Sequence, residues 1–104
     1  MTEWRFIVQA RVRPEAEDAW NAWYDTVHLP EIAGCPGFRS ATRMVAEGRA
    51  AKRFITEYEI DGPDALRTPE FASARGWYEF SELIEAETQL YEVITRLPRT
   101  DARS

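Results

Sequence analysis

Hydrophobic and polar residues alternate from Glu3 to Val12. Trp4, Phe6, Val8, Ala10 and Val12 fall on one side, and Glu3, Arg5, Gln9 and Arg11 mostly on the other. A period of two with aromatic and β-branched residues predicts a strand. The period then changes. Pro14 followed by Glu15, Glu17 and Asp18 reads as a helix start, because proline suits the first turn and acids there favour the positive end of the helix dipole. Ala16, Ala19, Trp20, Trp23, Tyr24, Val27 and His28 recur at helical spacing, so an amphipathic helix is expected to end near Pro30.

Gly34, Cys35, Pro36 and Gly37 predict a turn. Phe38–Ala46 and Lys52–Ile60 read as a strand pair joined by a loop over Glu47–Ala50, with Phe54, Thr56, Tyr58 and Ile60 on one face. Pro63–Arg75 reads as one or two short helices interrupted near Pro69, Phe80–Glu87 as a further helical turn or two, and Thr88–Leu97 as the last strand. The order β-α-β-β-α-β is the split βαβ pattern. The expected class is therefore α+β: a ferredoxin-like, four-stranded antiparallel sheet with helices on one face. Ile7, Ala41, Val45, Ile55, Tyr91 and Val93 are assigned to the uncovered face, mixed with Arg and Glu. Such a face meets solvent in a monomer or a second sheet in a homodimer.

A chain of 104 residues suits one domain, read here as residues 1–97 with a tail over residues 98–104. The net charge of −5 argues against a nucleic-acid partner and against docking on anionic membrane. Uncharged stretches are far short of a membrane span, and no basic segment leads into an apolar run at the start, so a cytoplasmic location is expected. One cysteine and one histidine cannot build an internal disulfide or the usual zinc site. Phosphate-loop, dinucleotide-binding and serine-elbow motifs are missing, so no cofactor is expected.

His28 closes an otherwise apolar and aromatic helix stripe. It is either a buried histidine satisfied by a backbone carbonyl or by Asp25, or a general acid/base facing a cavity, with Asp25 or Glu31 orienting the ring. Tyr24, one turn earlier, and Tyr58 on the third strand are candidates to hold a substrate oxygen, or are core tyrosines. Arg43 would clamp a carboxylate or enolate oxygen, or pair with Glu57 or Glu59 across the sheet. Trp77, Tyr78 and Phe80 read as a pocket lid or as packing, and Arg75 as a rim charge. Cys35 reads as a small turn residue rather than a nucleophile.

The stretch Trp23-Tyr24-Asp25-Thr26-Val27-His28-Leu29-Pro30-Glu31, the following Pro36-Gly37-Phe38-Arg39-Ser40-Ala41-Thr42-Arg43 and the later Tyr58–Leu66 together resemble the EthD-like branch of the dimeric α/β-barrel superfamily. The resemblance runs from about Trp4 to Leu97. It implies a homodimer formed through the sheets, with a pocket in each subunit for a small hydrophobic or aromatic molecule. His28 then corresponds to the histidine of the motif and points into that pocket. Relatives include isomerases, polyketide cyclases, cofactor-independent monooxygenases and proteins without known activity. The expectation that follows is a cofactor-independent isomerase, cyclase or lyase acting on a small aromatic or lactone-like metabolite. His28 would move the proton, Tyr24, Tyr58 or Arg43 would stabilise the oxyanion, and Trp4, Phe6, Trp20 and Trp77 would supply the wall. A non-catalytic binding protein, a cofactor-free monooxygenase and a haem-binding protein with His28 as axial ligand remain the alternatives.

Overall fold

A computed structural model describes residues 2–47 and 52–97. Most of the expected loop over Glu47–Ala50, and the expected tail over residues 98–104, lie outside the described residues. Four strands, β1 (Glu3–Val12), β2 (Phe38–Val45), β3 (Phe54–Ile60) and β4 (Ile84–Val93), form one antiparallel sheet in the order β2-β3-β1-β4. β1 is central and pairs along its whole length with β4, from Glu3 opposite Val93 to Val12 opposite Ile84. The connections from β1 to β2 and from β3 to β4 are helical and leave the sheet's second face open, as the βαββαβ reading requires.

The alternation of β1 and β3 sorts as expected. Phe6, Val8, Ala10, Phe54, Thr56, Tyr58 and Ile60 are buried under the helices. Ile7, Ile55, Tyr91 and Val93 lie on the open face. Ala41 and Val45 do not. They stand opposite Tyr58 and Phe54, on the helix side, because a bulge between Phe38 and Ser40 resets the register of β2. Met44 and Thr42 take their places on the open face, opposite Ile55 and Glu57.

β4 begins four residues earlier than the sequence reading placed it. Glu85 and Glu87, inside the stretch expected to be helical, stand in the ladder opposite Arg11 and Gln9. A strand with one charged face and a sparse apolar face (Ile84, Ala86, Thr88, Leu90) lacks the contrast that period-two reading needs. The helical stretch before it is a 3₁₀ segment, Tyr78–Leu83.

The first connection is longer than expected. A 3₁₀ turn (Pro14–Ala16) leads into α1 (Glu17–Trp23), a π turn (Tyr24–His28) and α2 (Leu29–Ala33). The helix passes through Pro30 instead of stopping there. Proline lacks an N–H and crowds the carbonyl four residues back. Here it falls at the start of α2, just after Leu29 N–H has bonded Tyr24 O in the wider five-residue turn, and that widening accommodates the ring. Gly34 and the turn through Gly37 end the helix. The second connection holds a 3₁₀ segment (Pro63–Arg67) and α3 (Pro69–Ala74), whose Thr68 hydroxyl caps Phe71 N–H.

Candidate active site

Ala16, Trp20, Tyr24, His28 and Ile32 are all buried, at a constant spacing of four. At 3.6 residues per turn, each step of four rotates about 40° ahead, so an unbroken α-helix would carry Ile32 to nearly the opposite side from Ala16. The π turn takes back part of that drift and keeps His28 and Ile32 over the sheet. Ala19 and Val27, read into the same stripe, are exposed.

The π turn also sets what His28 touches. Its ring lies nearly parallel to Trp23, five residues back, with centroids 4.7 Å apart and 14° between planes. Tyr24 meets it edge-on at 4.9 Å, and Trp77 lies tilted against it at 5.2 Å. Trp77 reaches it from the far connection, held between two residues in the left-handed region, Gly76 (φ 114°) and Tyr78 (φ 52°). His28 is 4% exposed, and its Nδ1 is sealed from solvent with no hydrogen-bond partner. The expected orienting acids are elsewhere: Asp25 pairs with Arg43, and Glu31 offers its backbone carbonyl to the Cys35 thiol. Burial alone drives the imidazole down to about pKa 4, so it is neutral at pH 7.

His28 forms part of the wall of a cavity of about 430 Å³ between the helices and the sheet. Tyr24 and Tyr58 are at its floor, each 1% exposed, with their hydroxyls 3.3 Å apart. The Thr56 hydroxyl also lies within reach of the Tyr24 phenol. Burial holds both phenols protonated, their pKa values pushed up, against a lowering pull from the Arg43 guanidinium. Whichever tyrosine donates to the other, one O–H proton of the pair remains for a third partner. Phe6, Phe71, Leu66 and Trp77 form the apolar walls, and Arg75, Gly76 and Thr88 the mouth.

Of the candidates named from sequence, His28, Tyr24, Tyr58, Phe6 and Trp77 thus share one cavity. Trp4, Trp20 and Arg43 do not line it. Trp20 is fully buried in the neighbouring part of the core, with Phe54 and Phe80. Trp4 packs partly buried against the core near Ile60. Arg43 lies over the Tyr24 ring at 4.3 Å and the Trp20 ring at 5.2 Å, donating to Asp25 Oδ1 and Asn21 Oδ1 at 2.7 Å each. Its ion pair therefore ties β2 to the helix, not β2 to Glu57 or Glu59 of β3; those acids hold Arg5 on the open face. Cys35 is buried in the turn, its thiol pushed up by burial and then by Glu70 and Glu31. Ile32, Leu66, Phe71 and Thr88 were not foreseen as wall residues, because each reads in sequence as ordinary packing or solvent surface. Among the described residues no group of three His, Cys, Asp or Glu is placed to share a metal ion, and no helix is long and apolar enough to cross a membrane.

The three-dimensional likenesses are extensive. SnoaB, described as a cofactor-independent oxygenase from Streptomyces nogalater, superposes with a TM-score of 0.73 over 93% of this chain and 98% of its own, at 19% identity. The chain has the ferredoxin-like dimeric α/β-barrel fold. An EthD family protein from Bacillus halodurans shares that fold with a TM-score of 0.64, at 17% identity, over 83% of this chain and 96% of its own. So does a protein from an uncultured marine organism described as dimeric and ferredoxin-like, with a TM-score of 0.63, at 11% identity, over 93% of this chain and all of its own. No protein-family model matches the chain, and no curated protein does. At these identities the barrel fold is what is shared; the chemistry must be argued from the cavity.

Proposed function

We propose that this barrel protein is a cofactor-independent enzyme that moves a proton on a small aromatic or lactone-like metabolite, with His28 as the base. The observation that carries the reading is the state of His28: neutral at pH 7, in the wall of a cavity large enough for a one- or two-ring molecule, with Nδ1 sealed and Nε2 the nitrogen left to meet a ligand. A neutral imidazole in a dry aromatic site takes a proton from a carbon acid or phenol. The Tyr24–Tyr58 pair supplies the O–H donor that a developing enolate or phenolate oxygen needs. Arg43 acts behind Tyr24, positioning its ring, since it does not reach the cavity.

Proton return to another carbon gives an isomerase; loss of a leaving group gives a lyase or cyclase. A second outcome is supported by the likeness to SnoaB: the same carbanion passing an electron to dioxygen, which makes the protein a monooxygenase. Both outcomes share the first step, so that step is the test. The enolisable ketone 2-tetralone is incubated in deuterium oxide, and loss of its C1 protons is followed by NMR while an electrode records dioxygen. Wild-type protein is expected to accelerate exchange, and His28→Phe to abolish the acceleration while remaining folded. Dioxygen uptake alongside exchange selects the monooxygenase outcome. Equal exchange by wild type and His28→Phe, with 2-tetralone bound, assigns the cavity to storage or delivery and ends the enzymatic reading.

The open sheet face supports a homodimer. Ile7, Ile55, Met44 and Tyr91 lie on it, the last two being large exposed hydrophobics, and a fold neighbour is described as dimeric. We assign residues 1–97 to one domain within this dimer and place the protein in the cytoplasm, where one unpaired cysteine is at home.

A further inference from the structure

The cavity's twelve wall residues include one charged side chain, and it has no partner among the described residues. Arg75 follows α3 and stands exposed at the mouth. Arg5, Arg13, Arg39, Arg43, Arg67 and Arg96 each sit in an ion pair with a carboxylate. Among the described residues Arg75 joins none of the ion pairs or side-chain hydrogen bonds, although Glu70 and Glu79 are near it in sequence. Arg11 and Arg53 also form no ion pair, but they lie beside Glu85 and Glu87 away from this cavity. In a chain of net charge −5, a guanidinium left free beside an apolar cavity is a site kept open for an anion.

The cavity is graded. Its mouth holds Arg75 and the Thr88 hydroxyl, both on exposed residues. Its middle is hydrocarbon and aromatic, with Phe6, Phe71 and Trp77. Its floor holds the Tyr24–Tyr58 pair. Gly76, at φ 114°, turns the chain immediately after Arg75, so that Arg75 and Trp77 both reach the cavity from one short segment. We propose that the ligand is an aromatic carboxylate, its rings between Phe6, Phe71 and Trp77, its carboxylate held at the mouth by Arg75, and its reacting end toward His28. This names the substrate class for the proton-transfer reading above and rests on that reading for the cavity's being a ligand site. A guanidinium meets a carboxylate through two parallel N–H donors, which an uncharged isostere cannot exploit. The same contact would orient the ring system end-on, so that one edge is presented to the imidazole.

The test uses two probes of equal shape, 2-naphthoate and 2-naphthamide, with binding read by quenching of tryptophan fluorescence at pH 7.5. Wild-type protein is expected to bind the carboxylate about tenfold more tightly than the amide, with the preference shrinking in high salt. Arg75→Gln should remove the preference by weakening the carboxylate about tenfold and the amide far less, and Arg75→Lys should keep part of it. Equal affinity in wild type, or a preference that survives in Arg75→Gln, overturns the proposal while leaving the proton-transfer reading intact. Failure of both probes to bind wild type overturns both. Arg75 is exposed and unbonded, so an unchanged melting temperature confirms that Arg75→Gln reports on binding alone.

Discussion

The imidazole of His28 lies flat on the indole of Trp23, with ring centroids 4.7 Å apart. In a regular α-helix, residues five apart are not stacked neighbours; three and four apart are. The π turn from Tyr24 to His28 creates the stack. It also explains how a ring nitrogen can be buried unpaired. The aromatic neighbours that fix the ring, Trp23, Tyr24 and Trp77, seal Nδ1 without offering it an acceptor or donor. Such an unpaired buried group costs stability, and one at a cavity wall is where function explains the cost.

If His28 is held for chemistry rather than for stability, an apolar ring should replace it without loss of fold. His28→Phe keeps the stack on Trp23 and removes the unpaired nitrogen. Its unfolding free energy is expected within about 1 kcal/mol of wild type, or above it. His28→Ala leaves a void among aromatic rings and is expected to cost about 2–4 kcal/mol. Urea unfolding of the two variants checks the order; a collapse of His28→Phe would show that the imidazole holds the core together.

The lowered basicity of His28 makes a pH prediction with a definite sign. Its folded pKa, about 4, lies below the ordinary value of 6.5. Between those values the unfolded chain binds a proton that the folded chain does not. The stability contributed by the neutral ring is thus complete above about pH 6.5, falls as pH drops, and is lost by about pH 4, amounting to about 3 kcal/mol. His28→Phe lacks this dependence, while carboxylates titrate in both proteins. The gap in urea midpoint between variant and wild type should therefore move in favour of the variant from pH 7.5 to pH 4.5. A constant gap would mean that the imidazole titrates normally. Catalytic proton transfer, by the same argument, should hold its rate down to about pH 5.

Much of this site was legible in the sequence because its parts come from elements with strong periodicity. β1 and β3 alternate cleanly, and the spacing of four from Ala16 to His28 put Trp20, Tyr24 and His28 on one face. Two physical causes hid the rest. The bulge after Phe38 flips the face of every later residue in β2, and nothing in Phe38-Arg39-Ser40 announces it, so Ala41 and Val45 were put on the wrong side. The π turn lets the helix run past Pro30, where proline ordinarily signals a stop. Arg43 illustrates the consequence. Its sequence neighbours suggested partners on β3, but on the helix-facing side it meets Asn21 and Asp25 instead.

The Arg43 clamp predicts a separation of stability from binding. Its side chain is 14% exposed, lies over three aromatic rings and donates to two oxygens, whereas its partner Asp25 is 59% exposed. Removing the well-covered member should cost more than removing the wet one. Arg43→Met is expected to lose about 1–3 kcal/mol, and Asp25→Asn less than about 1 kcal/mol. Neither residue lines the cavity, so the Kd of 2-naphthamide should hold in both variants as long as they are folded. A tenfold loss of affinity in folded Arg43→Met would place the guanidinium in the binding site after all.

Gly37 is required by geometry. It sits at φ 87°, and a Cβ there would come 2.7 Å from the Ala65 Cβ. An alanine would meet both the left-handed penalty and a clash that backbone must relieve, since the Ala65 methyl cannot rotate away. Gly37→Ala should cost about 2 kcal/mol or more. Gly76→Ala, also at positive φ but with open space around it, should cost about 1 kcal/mol. Thermal unfolding of the pair separates conformational strain from steric overlap; equal losses would show that Ala65 yields.

The two floor tyrosines should behave as one unit. Their hydroxyls are 3.3 Å apart, and the pair has one O–H proton left for a bound oxygen. Removing either hydroxyl changes what the other can offer. In Tyr58→Phe the Tyr24 hydroxyl loses its Tyr58 partner, and in Tyr24→Phe the Tyr58 hydroxyl loses its Tyr24 partner. Each single variant is expected to slow wild-type exchange of 2-tetralone by about 10²-fold, the loss typical of one oxyanion donor. The double variant should be slower than either by much less than another 10²-fold, since groups that act together do not lose their effects additively. His28 remains in all three, so substrate binding should persist while turnover falls. Losses that multiply in the double variant would mean that the phenols act separately, with one of them contacting the substrate at a position other than the reacting oxygen.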